Sequence, residues 1–204
     1  MKLELIKNDL LKMKKGFTIV EVSILFVIFL IVAFLVVPLS LDDSLQARNA
    51  SRWRKVQSDF ENILYSINVN SDSDKFDFIS SFQNVIKGEI KEDADLYKIT
   101  YMNGSLPGGV YNFNEFKRTY SNATIAYKLY PESNNGPLGV IMYDVNGEIG
   151  PNSWGKDIFG YNIYKDRFEP FCKAESVKYQ KQDCSKTGKG ICCSNYYLIG
   201  GSLN

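Results

Sequence analysis

From Val22 to Leu41, twenty consecutive residues are apolar apart from Ser23, Pro38 and Ser40, and one acid, Glu21, stands directly in front of them. As a helix rising about 1.5 Å per residue, this run reaches roughly 30 Å, the thickness of a bilayer's hydrocarbon core. The chain is therefore organised around one membrane-crossing helix. A carboxylate at the edge of such a helix costs about 2.5 kcal/mol or more on insertion scales and persists where a partner satisfies it. The expected partner lies on another chain. Ahead of the run, Lys2, Lys7, Lys12, Lys14 and Lys15 outnumber Glu4 and Asp9. This excess of lysine holds the N-terminus in the cytoplasm and exports the rest as a single-pass protein.

The apolar run is entered through Lys14-Lys15-Gly16-Phe17-Thr18-Ile19-Val20-Glu21. An ordinary secretory signal has a basic start and an apolar core too, but needs a small-residue cleavage site just after that core. Pro38-Leu39-Ser40-Leu41-Asp42 is followed by none. The basic pair, Gly, Phe, Thr, Glu and apolar run, in this order and spacing, resemble the class III leader of type IV prepilins and of the pseudopilins of type II secretion. The resemblance covers about residues 14–67. It implies cleavage by a prepilin peptidase between Gly16 and Phe17, leaving Phe17 as an N-methylated first residue. It further implies that Glu21 pairs with the N-terminal amine of a neighbouring subunit, and that Pro38 is the helix-bending proline of many pilins. The implied partners are other pilin or pseudopilin subunits, the peptidase, an assembly platform in the inner membrane, and that membrane itself. The implied location is the inner membrane with an exported head, then a pilus or a periplasmic pseudopilus.

The 204 residues divide accordingly into a leader (1–16), a transmembrane or filament-core helix (17–41), an amphipathic continuation (42–67) and a head (68–204). One domain of ordinary size fits in that head; two would be crowded. Formal net charge is +1, and removing the lysine-rich leader makes the mature chain slightly acidic. A global basic field for nucleic-acid binding is excluded.

Beyond Asp42, Leu45, Trp53, Val56, Phe60, Ile63, Leu64 and Ile67 recur at three- and four-residue steps, with Arg48, Arg52, Lys55, Asp59 and Asn62 opposite them. This periodicity predicts one helix from about Phe17 to Ile67 whose apolar stripe packs on the head. The Ser/Asp/Asn-rich stretch 68–75 breaks it. Phe76, Ile79, Phe82, Val85, Ile86 and Ile90 then predict a second amphipathic helix. Strands are predicted at Tyr97–Met102, Thr124–Tyr130, Leu138–Val145 and Ile158–Tyr164, separated by Asn-Gly and Pro-Gly turn chemistry. Asn112–Tyr120 is open between helix and loop. The fold class is α+β and, by resemblance, type IV pilin-like: a long N-terminal helix packed on an antiparallel sheet of about four strands.

Between the third and fourth predicted strands lies Asp144-Val145-Asn146-Gly147-Glu148-Ile149-Gly150-Pro151-Asn152-Ser153-Trp154-Gly155-Lys156-Asp157. Oxygen side chains among glycines suit a hard cation such as Ca²⁺, which takes six to eight oxygens in a flexible loop. Asp144, Asn146, Asn152 and Asp157 are the candidate ligands. The alternative is a tight turn with Asn-Gly at its corner and Asp144 capping backbone amides. No other cofactor is expected.

Cys172, Cys184, Cys192 and Cys193 are the chain's four cysteines. In an exported domain an even count confined to one segment points to disulfides. Joining the neighbours Cys192 and Cys193 would be strained, which leaves two pairings open. Their spacing matches no common zinc pattern and the chain lacks histidine. By placement, the segment resembles the exposed, disulfide-bounded C-terminal loop of type IV pilins. Lys165–Lys189 holds seven Lys/Arg against four Asp/Glu, Lys178, Lys181, Lys186 and Lys189 among them. The stretch is a weak candidate for DNA or polysaccharide contact and otherwise a solvated face. No G-x-S-x-G, Walker loop or G-x-G-x-x-G occurs, and no enzymatic activity is expected.

Overall fold

In a computed structural model of the chain, the described residues are 18–69, 89–91, 98–113, 116–118, 123–130, 136–147 and 149–202. The chain forms two compact units, Met1–Ser44 and Leu45–Asn204. Helix α1 runs from Ile19 to Val69, starting and ending two residues later than the predicted span. Thr18 is the reason it starts where it does. The Thr18 backbone N–H and hydroxyl both donate to Glu21 Oε2, at 2.8 and 2.9 Å, while Thr18 Oγ1 accepts from the Glu21 N–H at 3.2 Å. This reciprocal capping box satisfies amides that the first helical turn would otherwise leave unpaired.

Within the first unit, Ile19–Val36 has a mean hydropathy of 3.1 and none of it is buried. It is long and apolar enough to cross a membrane. Pro38 falls inside α1, whereas Gly16 and Phe17 lie outside the described residues.

In the second unit the remainder of α1 packs on a sheet of six antiparallel strands laid out in sequence order. These are β1 (Glu89–Lys91), β2 (Phe116–Arg118), β3 (Thr124–Leu129), β4 (Gly139–Asp144), β5 (Ile158–Ile163) and β6 (Phe168–Pro170). Side chains alternate across a pleated strand, so each strand feeds two faces. Ile125, Tyr143 and Phe159 lie in register across β3, β4 and β5, as do Tyr127, Ile141 and Tyr161. On that face Trp53 stacks on Phe159 at 5.0 Å and meets Tyr161 at 4.7 Å, and Phe60 sits 5.1 Å from Phe168. Trp53, Val56, Phe60 and Ile67 are buried as the periodicity predicts. Leu45, counted in the same stripe, is 47% exposed, because the helix first meets the head one residue later, through Gln46.

The opposite face is covered too. Ala126, Val140, Met142 and Ile158 pack there with Ile99, Tyr101, Phe113, Trp154 and Phe171. The segment holding Ile99 and Tyr101 is not the strand predicted at Tyr97–Met102. Among its described residues only Thr100 forms a bridge, with Ser153, and the neighbouring amides bond to loop carbonyls: Tyr101 N–H to Ser105 and Met102 N–H to Lys189. The Asn103-Gly104 turn bends the chain before a ladder can form. Of the predicted second helix, residues 76–88 lie outside the described residues, and Ile90 belongs to β1. The open segment Asn112–Tyr120 contains β2, preceded by a short 3₁₀ turn at Gly109–Tyr111. The result is an α+β fold in which three short strands, β1, β2 and β6, were not expected and the expected strand at Tyr97–Met102 is not formed among its described residues.

Past β6 come α2 (Val177–Asp183), whose Ser176 cap accepts from Tyr179 N–H, and α3 (Cys193–Tyr196). Disulfides Cys172–Cys192 and Cys184–Cys193 tie this end together, one of the two pairings left open.

Candidate functional site

The segment 144–157 joins β4 to β5, and its described residues contact α1, the 98–113 segment and the C-terminal disulfide region. Asp144 closes its entry, where Oδ1 accepts from the amides of Asn146 and Gly147 at 3.0 Å each. Asp157 closes its exit, with Oδ2 accepting from Asn152 N–H at 2.9 Å and Oδ1 from Ser153 N–H at 2.6 Å. Asn152 itself takes a positive φ of 51°, a region Asn tolerates better than most residues. Both aspartates are fully buried. Burial, partly offset by the Ser153 and Asn152 amides and the Asn146 side chain, lifts the Asp157 carboxyl from its usual 3.8 to about 6.

All four predicted ligands therefore come together in one loop, and the two carboxylates do what turn chemistry asks of them. Yet among the described residues the buried amide oxygens of Asn146 and Asn152 meet no donor, nor does that of Asn49 on α1. Such orphaned acceptors usually mark an absent partner. Among the described residues no three His, Cys, Asp or Glu side chains cluster, so a bound cation would need these amide oxygens as well as the carboxylates. The donor set of Asp144, Asn146, Asn152 and Asp157 is all oxygen and fits a hard ion.

The same loop links the helix to the C-terminal knot. Gln46 Nε2 donates to Gly155 O at 3.3 Å and Asn49 Nδ2 to Lys156 O at 3.3 Å. Gly155, at φ +80°, lies so close to the disulfides that a Cβ there would sit 2.7 Å from Cys193 Sγ. From the other side, Trp53 Nε1 donates to Ser194 O at 2.7 Å and Arg54 Nε to Tyr197 O at 2.8 Å. Cys184, Cys192 and Cys193 are buried, as are Ser194–Tyr197. The resemblance implied an exposed C-terminal loop; here its second half is core, while residues 173–179 are exposed.

Sequence reasoning missed the polar side chains that knit this knot. Gln180 donates to Cys172 O and Glu175 O and accepts from Asn195 Nδ2, and Asp183 accepts from the amides of Lys189 and Cys192. No residue pattern marks a buried Gln; only the fold does. In the basic stretch, Arg167 is paired with Asp166 at 3.0 Å and Glu169 at 3.3 Å, while Lys178, Lys181, Lys186 and Lys189 are exposed.

Compared with known proteins, the chain matches no protein-family model, no curated protein and no solved structure.

Proposed function

We propose that this chain is a structural subunit, a major or minor pilin, of a type IV pilus-like filament for adhesion, motility or DNA uptake. A prepilin peptidase would cut it between Gly16 and Phe17, and an inner-membrane platform would assemble it with other subunits. The observation that carries this reading is the junction itself. An exposed apolar helix begins at Ile19 with a Thr18–Glu21 capping box, directly after the Lys14–Phe17 motif. The box gives Glu21 a local partner before assembly. Both Thr18 donors bind one oxygen, Oε2, which leaves Oε1 for the Phe17 amine of a neighbour in the low-dielectric filament axis. Mass spectrometry of the mature chain tests the cut, with Phe17 expected as first residue. Glu21→Ala should be cleaved normally and enter filaments poorly; wild-type yield would sink the pairing.

The segment 144–157 resembles an element found after a sheet strand in many pilin-like and pseudopilin-like heads and leans toward a minor pilin or toward a second reading, a pseudopilin of a type II secretion system driving protein export. Imaging this subunit on cells separates long surface fibres from a periplasmic piston. In either setting Ca²⁺ is the proposed cofactor. It would neutralise two buried carboxylates and use the orphaned Asn146 and Asn152 oxygens.

A further inference from the structure

Asn-x-Ser/Thr, with any residue but proline in the middle, is the acceptor pattern for sugar transfer to an asparagine side chain in secreted proteins. It occurs at Asn49-Ala50-Ser51, Asn103-Gly104-Ser105 and Asn122-Ala123-Thr124. Such triplets also arise by chance, so burial has to separate them. Asn49 lies on α1 at 4% exposure, with Nδ2 donating to Lys156 O; a sugar there would push the helix off the head. Asn122 lies outside the described residues, and Thr124 of its triplet is buried in β3. Asn103, Gly104 and Ser105 are all exposed. They form the tip of a tight turn in which Gly104 N–H donates to Tyr101 O at 2.8 Å and Tyr101 N–H to Ser105 O at 2.7 Å. A Cβ built on Gly104 would meet no atom within 4 Å, so the space around the turn is open.

The hydrogen bonds of this turn suit the reaction. Asn103 Oδ1 accepts from the Ser105 N–H at 3.1 Å and from the Ser105 hydroxyl at 2.7 Å, while Nδ2 is unbonded among the described residues. A carboxamide nitrogen is a poor nucleophile because its lone pair is shared with the carbonyl. Two donors on Oδ1 stabilise the negative charge that builds on the O–C–N group as Nδ2 gives up a proton. We infer that Asn103 is a glycosylation site, whose Nδ2 takes an oligosaccharide from a polyisoprenoid pyrophosphate carrier on the exported side of the membrane. The bond from Nδ2 to the sugar C1 forms, and the C1–O bond to pyrophosphate breaks with its electron pair leaving on the phosphate. A base of the transferring enzyme takes one Nδ2 proton. The inference rests on the exported head of the proposed reading and needs no filament. Asn103 sits in the segment that covers the sheet face away from α1, so a sugar there leaves the grip on the helix untouched. Leu106 and Val110 follow closely at 66% and 42% exposure, and the apolar face of a sugar ring would shield them from water.

The test is peptide mass spectrometry of the full chain purified from the membranes of its own cells. The peptide spanning Asn103 should carry a sugar mass that mild alkali, which strips sugars from Ser and Thr, does not release. The peptide spanning Asn49 should be bare. Asn103→Asp keeps an acceptor for the Ser105 donors but has no Nδ2, and should lose the added mass completely. Ser105→Ala should lose it as well, whereas Ser105→Thr should keep it. A peptide spanning Asn103 that is bare or merely deamidated, in a chain whose first residue is Phe17, would overturn the inference and leave the filament reading standing. An added mass that persists in Asn103→Asp would overturn it too. A sugar on Asn103 in a chain that does not begin at Phe17 would sustain the inference and remove the filament reading.

Discussion

Asp157 is where single-residue chemistry is most exposed to test. Its folded carboxyl ionises near 6 against 3.8 unfolded, so the protonated form is favoured by folding. That stabilisation is complete below about pH 4 and disappears as pH rises through 6. In chelator the second unit should lose up to about 3 kcal/mol from this group between pH 4 and 6. The check is urea unfolding across that window. Asp157→Asn should flatten the window and lower stability throughout, because it puts an NH2 donor in place of one of the two carboxylate oxygens that separately accept from the Asn152 and Ser153 N–H groups. If the loop holds Ca²⁺, adding it at pH 7 should raise the melting temperature of the wild type but not of Asp157→Asn; an unmoved wild type eliminates the ion. Gly155→Ala should cost about 2–4 kcal/mol by combining left-handed strain with overpacking against Cys193. The Asp144-Val145-Asn146-Gly147 turn was legible because Asp and Asn-Gly act on their own backbone. The need for glycine at 155 was not, since its neighbours are Cys193 and Gly190, far along the chain.

At the level of elements, α1 and the three central strands could be read from periodicity alone. Trp53 and Phe60 fall on the helical stripe, and Tyr143, Phe159 and Tyr161 on one face of alternating strands. Trp53→Ala should destabilise the second unit by about 3–5 kcal/mol, from lost aromatic burial and an unpaired Ser194 carbonyl. Thermal unfolding followed by near-ultraviolet circular dichroism would register it; a shift of only a degree or two would mean that α1 is not docked through this residue. The short strands β1 and β2 and the irregular Lys98–Phe113 segment escaped the same logic. Three residues are too few to show a period, and Ile99–Met102 has strand-like composition while its amides bond to loops.

For the second unit as a whole, the two disulfides close spans of 20 and 9 residues around the segment that grips α1. Each should contribute about 2–4 kcal/mol. Replacing Cys184 and Cys193 together with Ser should lower the melting temperature and expose the Trp53 ring, seen as a red shift of its emission. Unchanged emission would mean that the grip survives without the knot. By itself the sequence determined a helix long and apolar enough to cross a membrane, the α+β class and the presence of disulfides, because each depends on residues near one another in the chain or on composition. Only the tertiary structure decided which cysteines pair, that the loop 144–157 bridges helix and knot, and that Asn49 is buried against Lys156. The pairing depends on how the chain folds between Cys172 and Cys193, and the other two depend on distances between segments about a hundred residues apart, which arise only when two apolar faces close on one another.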